Sequence, residues 1–161
     1  MALTDPVRVF LRHTLATIAY RAAKAERDAA PSFADFQIGH GARTPVQLVA
    51  HLADLFDWAL SLVQGNWDYK PSAPRQWRQE VARFHASLEA LDAYLASDEP
   101  LGIGADKLFQ GPIADALTHV GQLTMLRRQA DAPVRSESFA RSDIVPGRLG
   151  TEQTKSRFEF D

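Results

Sequence analysis

Four stretches of this chain repeat apolar residues at helical spacing, separated by connections that carry glycine or proline. The first covers residues 6–28. Val7, Leu11, Leu15 and Ile18 form its apolar stripe, Asp5 stands at the N-cap, and Pro6 suits the first helical position. Its arginines and Lys24 fall off the stripe and read as a solvated face. The second stretch, 44–64, has the clearest start. Thr44-Pro45-Val46-Gln47 has the form of a capping box, and Gly65 marks the stop. The third, 74–97, places Trp77, Val81, Phe84, Leu88, Leu91 and Leu95 in alternating steps of four and three, the pattern of a helix–helix seam. The fourth, 112–130, opens at Pro112 and ends before Pro133. Arg127 and Arg128 in its last turn suit the helix dipole.

Residues 131–161 show no helical period, and Pro146, Gly147 and Gly150 interrupt them. Phe139, Ile144, Leu149, Phe158 and Phe160 are spaced as anchors for an extended segment. No strand system and no internal repeat is visible. The expected fold class is all-α, with one domain over 1–161: a four-helix bundle with long connections and an extended C-terminal tail packed on it. The short loop between the second and third helices favours antiparallel neighbours, whereas the two long connections permit crossovers.

Composition narrows the function classes. A chain of 161 residues can bury a core, and 45% hydrophobic against 24% charged residues excludes global disorder. A formal charge of −2 gives no basic excess, so nucleic acid is not the expected partner. Without cysteine there is no disulfide, thiolate metal site or cysteine nucleophile, and any metal must use His, Asp or Glu. The opening MALTDPVRVF lacks the apolar core of a signal peptide. His51, Asp54 and Asp57 interrupt the best candidate for a membrane span, so no membrane is expected and a cytoplasmic protein is.

The chemistry concentrates in residues 112–125, PIADALTHVGQLTM, whose ionisable groups are Asp115 and His119. Four residues apart on a helix, they stack on one face. The rest of the segment reads as apolar around most of its circumference, so both groups are expected to be buried and to need a partner or a metal. His51, on the second apolar helix, offers the third group. Two imidazoles with one carboxylate form an open triad for zinc-like ions. Asp54, one turn beyond His51, and Gln122, one turn after His119, are candidates to orient the ligands. His85 sits at the border of the seam, His40 lies in a glycine-flanked loop, and His13 has a weaker claim. Trp58, Trp67 and Tyr69 read as core or rim packing that could line a pocket. A lone histidine on an apolar face is more often a hydrogen-bonded core residue than a ligand, and spacing does not decide between the two.

Three segments in order resemble the DinB/YfiT-like superfamily of four-helix-bundle metalloenzymes: PVQLVAHLADLFDWAL around His51, ALTHVGQLTMLRR around His119, and the tail 139–153 with its GRLGTEQ run. The resemblance spans essentially the whole chain. It implies a divalent metal held by one second-helix histidine, here His51, and by two residues four apart on the last helix. His119 matches the second of these, and Asp115 stands where a histidine is usual. Asp115 either preserves the site with altered charge or marks a site that has lost its metal. Zinc or nickel is the implied ion, with iron and manganese as alternatives. Relatives use low-molecular-weight thiols such as bacillithiol or mycothiol. The resemblance therefore implies a metal-activated thiol, or water, transferred to a small electrophilic substrate, with metal-assisted hydrolysis second. No serine–histidine nucleophile motif or glycine-rich phosphate loop competes with this. The alternative is a non-catalytic homodimeric bundle that binds an apolar ligand or a protein partner through the aromatic loop 66–69 and the tail.

Overall fold

The computed structural model describes residues 5–160, so the expectation drawn from the opening residues falls partly outside them. Four long helices form the body: α1 (Pro6–Glu26), α2 (Pro45–Val63), α3 (Trp77–Ala96) and, after a single-turn helix α4 (Ala105–Leu108), α5 (Ala114–Gln129). The chain is mostly helical, consistent with the all-α class. The strands among the described residues are two short ones, β1 (Ser136–Glu137) and β2 (Glu159–Phe160), paired antiparallel. The sequence gives no hint of this pair, because two residues are too few for a period.

Local signals fix the helix ends. The Asp5 carboxylate accepts from the Val7 amide at 2.9 Å, with Pro6 at the first position. At α2 the capping box closes in both directions: Thr44 N donates to Gln47 Oε1 at 2.9 Å, and Gln47 N donates to Thr44 Oγ1 at 3.4 Å. Gly65, at φ +87°, ends α2 as expected. Gly102 packs against it so closely that an added Cβ would lie 2.3 Å from the Gly65 nitrogen. The start of the last helix differs from the expectation. Pro112 does not open it. Helical backbone begins at Ala105 and passes through a wide, π-type turn at Phe109–Ile113, where Gly111 departs to φ −89°, ψ −106°. Proline supplies no N–H for an ordinary α turn, and the wider turn absorbs the fault.

The core lies where α1 and α2 each pack against both α3 and α5. Phe84, Leu88, Leu91 and Leu95 of the α3 seam are fully buried, as are Leu15, Ile18, Leu52, Phe56 and Leu123. Each such side chain contributes about 1.5–3 kcal/mol. Trp77 and Val81 pack at the margin. Val7, expected in the α1 stripe, is exposed. The window that makes α2 apolar is 67% buried inside the protein. By length and composition α2 does suffice to cross a membrane, which corrects the expectation that its polar residues exclude this.

The supposed solvated face of α1 is in fact its attachment surface. Arg8 donates to the carbonyls of Leu95 and Ser97, which the end of α3 leaves without helical partners. Arg12 forms a two-point pair with Asp92 at 2.8 and 2.9 Å. Lys24 is buried and bonds Glu137 and Glu159 of the tail, each at 2.7 Å. Glu137 also accepts from the Tyr20 and Ser142 hydroxyls at 2.6 Å each. Burial pushes its carboxyl up, but the bonds from Lys24, Ser142 and Tyr20 outweigh it and hold the pKa at about 2. Phe139 stands edge-on to Tyr20, and Leu149 is buried, whereas Phe160 is exposed and anchors little.

Candidate metal centre

Neighbouring positions on α2 and α5 build the site. The cap at Thr44 sets where α2 begins. With Leu48, Leu52 and Phe56 in the core, His51 falls at the border of the buried face, its side chain 16% exposed. On α5, Ala116, Val120 and Leu123 turn inward and carry His119 with them, its side chain 9% exposed. Asp115, one turn earlier, meets both rings. His51 Nε2 lies 3.6 Å from its Oδ2, and His119 Nε2 lies 3.3 Å from its Oδ1. The rings stand edge to face with centroids 4.7 Å apart.

One donor atom from each of the three residues falls within 4.8 Å of the others. Two ligands on a tetrahedral ion at about 2.1 Å stand about 3.4 Å apart, close to the 3.6 and 3.3 Å at which Asp115 meets the two rings, one oxygen to each. The far nitrogens are also engaged. His119 Nδ1 donates to Gln122 Oε1 at 2.8 Å, which turns Nε2 towards Asp115. His51 Nδ1 meets the Tyr69 hydroxyl at 3.2 Å. Burial, then the charges of Arg43 and His119, lower the His51 pKa against the pull of Asp115. Two imidazole nitrogens and a carboxylate converging on one point suit a cation.

Asp115 is not buried: its side chain is 48% exposed. Helix α5 is not apolar around most of its circumference either, since Thr118, Gly121, Gln122 and Met125 face outward. The cost of burying a charge therefore says nothing about Asp115. The site rests on the convergence of the three groups. Gln122 occupies the expected orienting place. Asp54 does not: Ser72, through its amide at 3.2 Å and hydroxyl at 3.1 Å, and Arg83 at 2.9 Å engage its oxygens. It thereby ties the 66–76 loop to α2, and that loop carries Tyr69 to His51. Trp58 stacks edge-on against Tyr69, while Trp67 is 70% exposed.

A cavity of about 280 Å³ opens beside His51, lined by Arg43, Gln47, Asp54, Tyr69 and Ser72. A second, of about 610 Å³, lies between the 38–43 connection and α5. A larger one, about 800 Å³, is elsewhere, between α1, α3 and the tail beside His85. Tyr69, expected to pack or to line a pocket, lines the cavity beside His51 and bonds that ring, whereas Arg43 carried no expectation. An aromatic hydroxyl in the loop after a histidine-bearing helix, and an arginine just before that helix's cap, are the signals that were there to read. Compared with family models, with curated proteins and with solved structures, the chain matches none.

Proposed function

We propose that this protein is a divalent-metal-dependent enzyme of the DinB type, built on a four-helix bundle, with His51, Asp115 and His119 as the metal ligands. One observation carries the reading: two imidazole nitrogens, each with its opposite nitrogen hydrogen-bonded, converge on one carboxylate. A donor set of two imidazoles and one carboxylate suits zinc or nickel, with iron or manganese next. When bound, such an ion lowers the pKa of a coordinated water or low-molecular-weight thiol and so supplies a nucleophile near neutral pH. The protein's own part is positional. Gln122 and Tyr69 set the ring faces, Asp54 with Arg83 fixes the loop behind Tyr69, and the half-exposed Asp115 leaves the outer side open to a small electrophilic substrate.

A non-catalytic bundle that binds a partner has exposed Trp67 in its favour, but Tyr69 of the same loop is engaged with His51. Calorimetric titration of metal-free protein with zinc and nickel separates the two readings. The expected result is one ion per chain, with affinity lost in His119→Ala. No saturable binding of either ion would end the metalloenzyme reading.

A further inference from the structure

Arg8, Arg12, Arg83 and Arg127 are each tied to carbonyls or carboxylates of other elements. Arg43 differs. It is exposed, stands just before the N-cap of α2, and forms no hydrogen bond or ion pair among the described residues. Its charge still acts on both His51 and Tyr69.

Arg43 also stands where the two cavities beside the centre meet. The smaller reaches His51 and Tyr69. The larger is walled by Ile38, Leu48, Met125 and Leu126, with Gln122 at its polar side. Gln122 thus touches both His119 and this apolar cavity. Ile38 and Met125 are 41% and 51% exposed, apolar surface left open next to an unpaired guanidinium. The nearby Asp54 is engaged by Arg83, which also pairs with Asp57 and Glu80. Two neutral imidazoles and one carboxylate would leave a divalent ion with net positive charge, which favours the same sign of ligand. A guanidinium beside an apolar cleft matches one chemistry, an anion with a hydrocarbon part.

We infer that the centre takes a small organic carboxylate, its carboxylate on Arg43 and a short aliphatic or aromatic tail between Ile38 and Met125. This leaves the carboxylate at Arg43, which also lines the cavity beside His51. That the bound molecule reacts at the centre rests on the function proposed above; the binding itself does not. A phosphoryl group would want more N–H donors than one guanidinium supplies, and an ammonium ligand would meet Arg43 as a like charge.

The test uses hexanoate, hexan-1-ol and hexylammonium as probes, titrated into metal-free and zinc-treated protein and followed by amide and arginine side-chain chemical shifts. Hexanoate should bind in both states and shift Ile38, Met125 and the Arg43 side chain. Arg43→Gln should weaken it about tenfold or more, and Arg43→Lys less. The alcohol and the ammonium should bind at least about tenfold more weakly than hexanoate. Met125→Glu, at an exposed position that leaves the core intact, should weaken hexanoate as well. Hexanoate binding that ignores Arg43→Gln, or that the alcohol equals, overturns the inference even if zinc binds. Zinc that fails to bind while hexanoate still depends on Arg43 overturns the metal reading and leaves this one standing.

Discussion

Two histidine clusters lie on the helices of this chain, and they are built in opposite ways. His85 is 4% exposed, with Nδ1 2.5 Å from the Leu149 carbonyl and Nε2 2.7 Å from Glu26 Oε2. Acceptors on both sides favour the charged ring that donates from both nitrogens. Burial opposes that charge, but the hydrogen bond and charge of Glu26, with the Leu149 carbonyl, outweigh it and raise the pKa. His51 and His119 each use one nitrogen on a neighbour and point the other at Asp115. The His85 cluster joins α3, α1 and the tail and is chemically closed, although a larger cavity lies beside it. The other cluster has smaller cavities and points one nitrogen of each ring at a single half-exposed carboxylate. Convergence of two rings on one accessible carboxylate, rather than the size of the hollow beside a ring, separates a candidate ligand from a structural histidine.

The largest expected effect belongs to the closed cluster. His85→Ala leaves Glu26 buried without its partner, and Glu26 Oε1 has no hydrogen bond to begin with. Urea denaturation should show a loss of about 3–5 kcal/mol. Zinc affinity per folded chain should not change, and a parallel loss there would show that the clusters are not independent.

Next comes the open cluster. Asp115→Ala should weaken zinc binding by about a hundredfold, since removing a ligand costs at least as much as removing a group behind one. Asp115→Asn should fall between wild type and alanine, and Asp115→His should retain the ion. Because Asp115 is half-exposed, metal-free stability should move by no more than about 0.5 kcal/mol. Equal zinc affinity in wild type and Asp115→Ala would remove Asp115 from the ligand set.

The two clusters should also differ in their response to pH. The folded-state pKa of His85 is raised above its usual 6.5, so its stabilising effect is fully present below pH 6.5. That effect is lost as pH rises through the raised value, and His85→Gln should abolish this alkaline decline. Glu137 works in the other direction. Its pKa falls from 4.5 to about 2, so its contribution is present above pH 4.5 and fades as pH drops towards 2. Zinc binding at the open cluster should weaken as pH falls through the histidine range, because protons compete for the imidazole nitrogens. Thermal midpoints recorded with and without zinc at several pH values check all three. The smallest effect is at Tyr69. Tyr69→Phe removes one hydrogen bond to His51 and should weaken zinc about tenfold, with Gln122→Ala similar at His119.

What the sequence made legible was what local chemistry sets. The Thr44–Gln47 cap, the α3 seam and the four-residue step from Asp115 to His119 need only nearest neighbours along a helix. What it hid depends on distant partners. Lys24 looks like a surface cation until Glu137 and Glu159 of the tail reach it. His85 looks peripheral until Leu149 and Glu26 close on it. Asp115 looks buried because the apolar run around it says nothing about which side of α5 lies at the molecular edge. Tyr69 meets His51 only through the path of a loop that Asp54 and Arg83 hold.

The wide turn before α5 sets the phase of everything that follows it. Each α-helical residue advances the side-chain direction by about 100°. One residue fewer between Phe109 and Ile113, with the turn tightened to an ordinary one, would swing Asp115 and His119 off the α2 side together. Leu123 would leave the core in the same movement, so the chain could not adopt that phase without cost. The Gly111–Pro112 irregularity works as a rotational stop: it selects which face of the last helix is presented to His51.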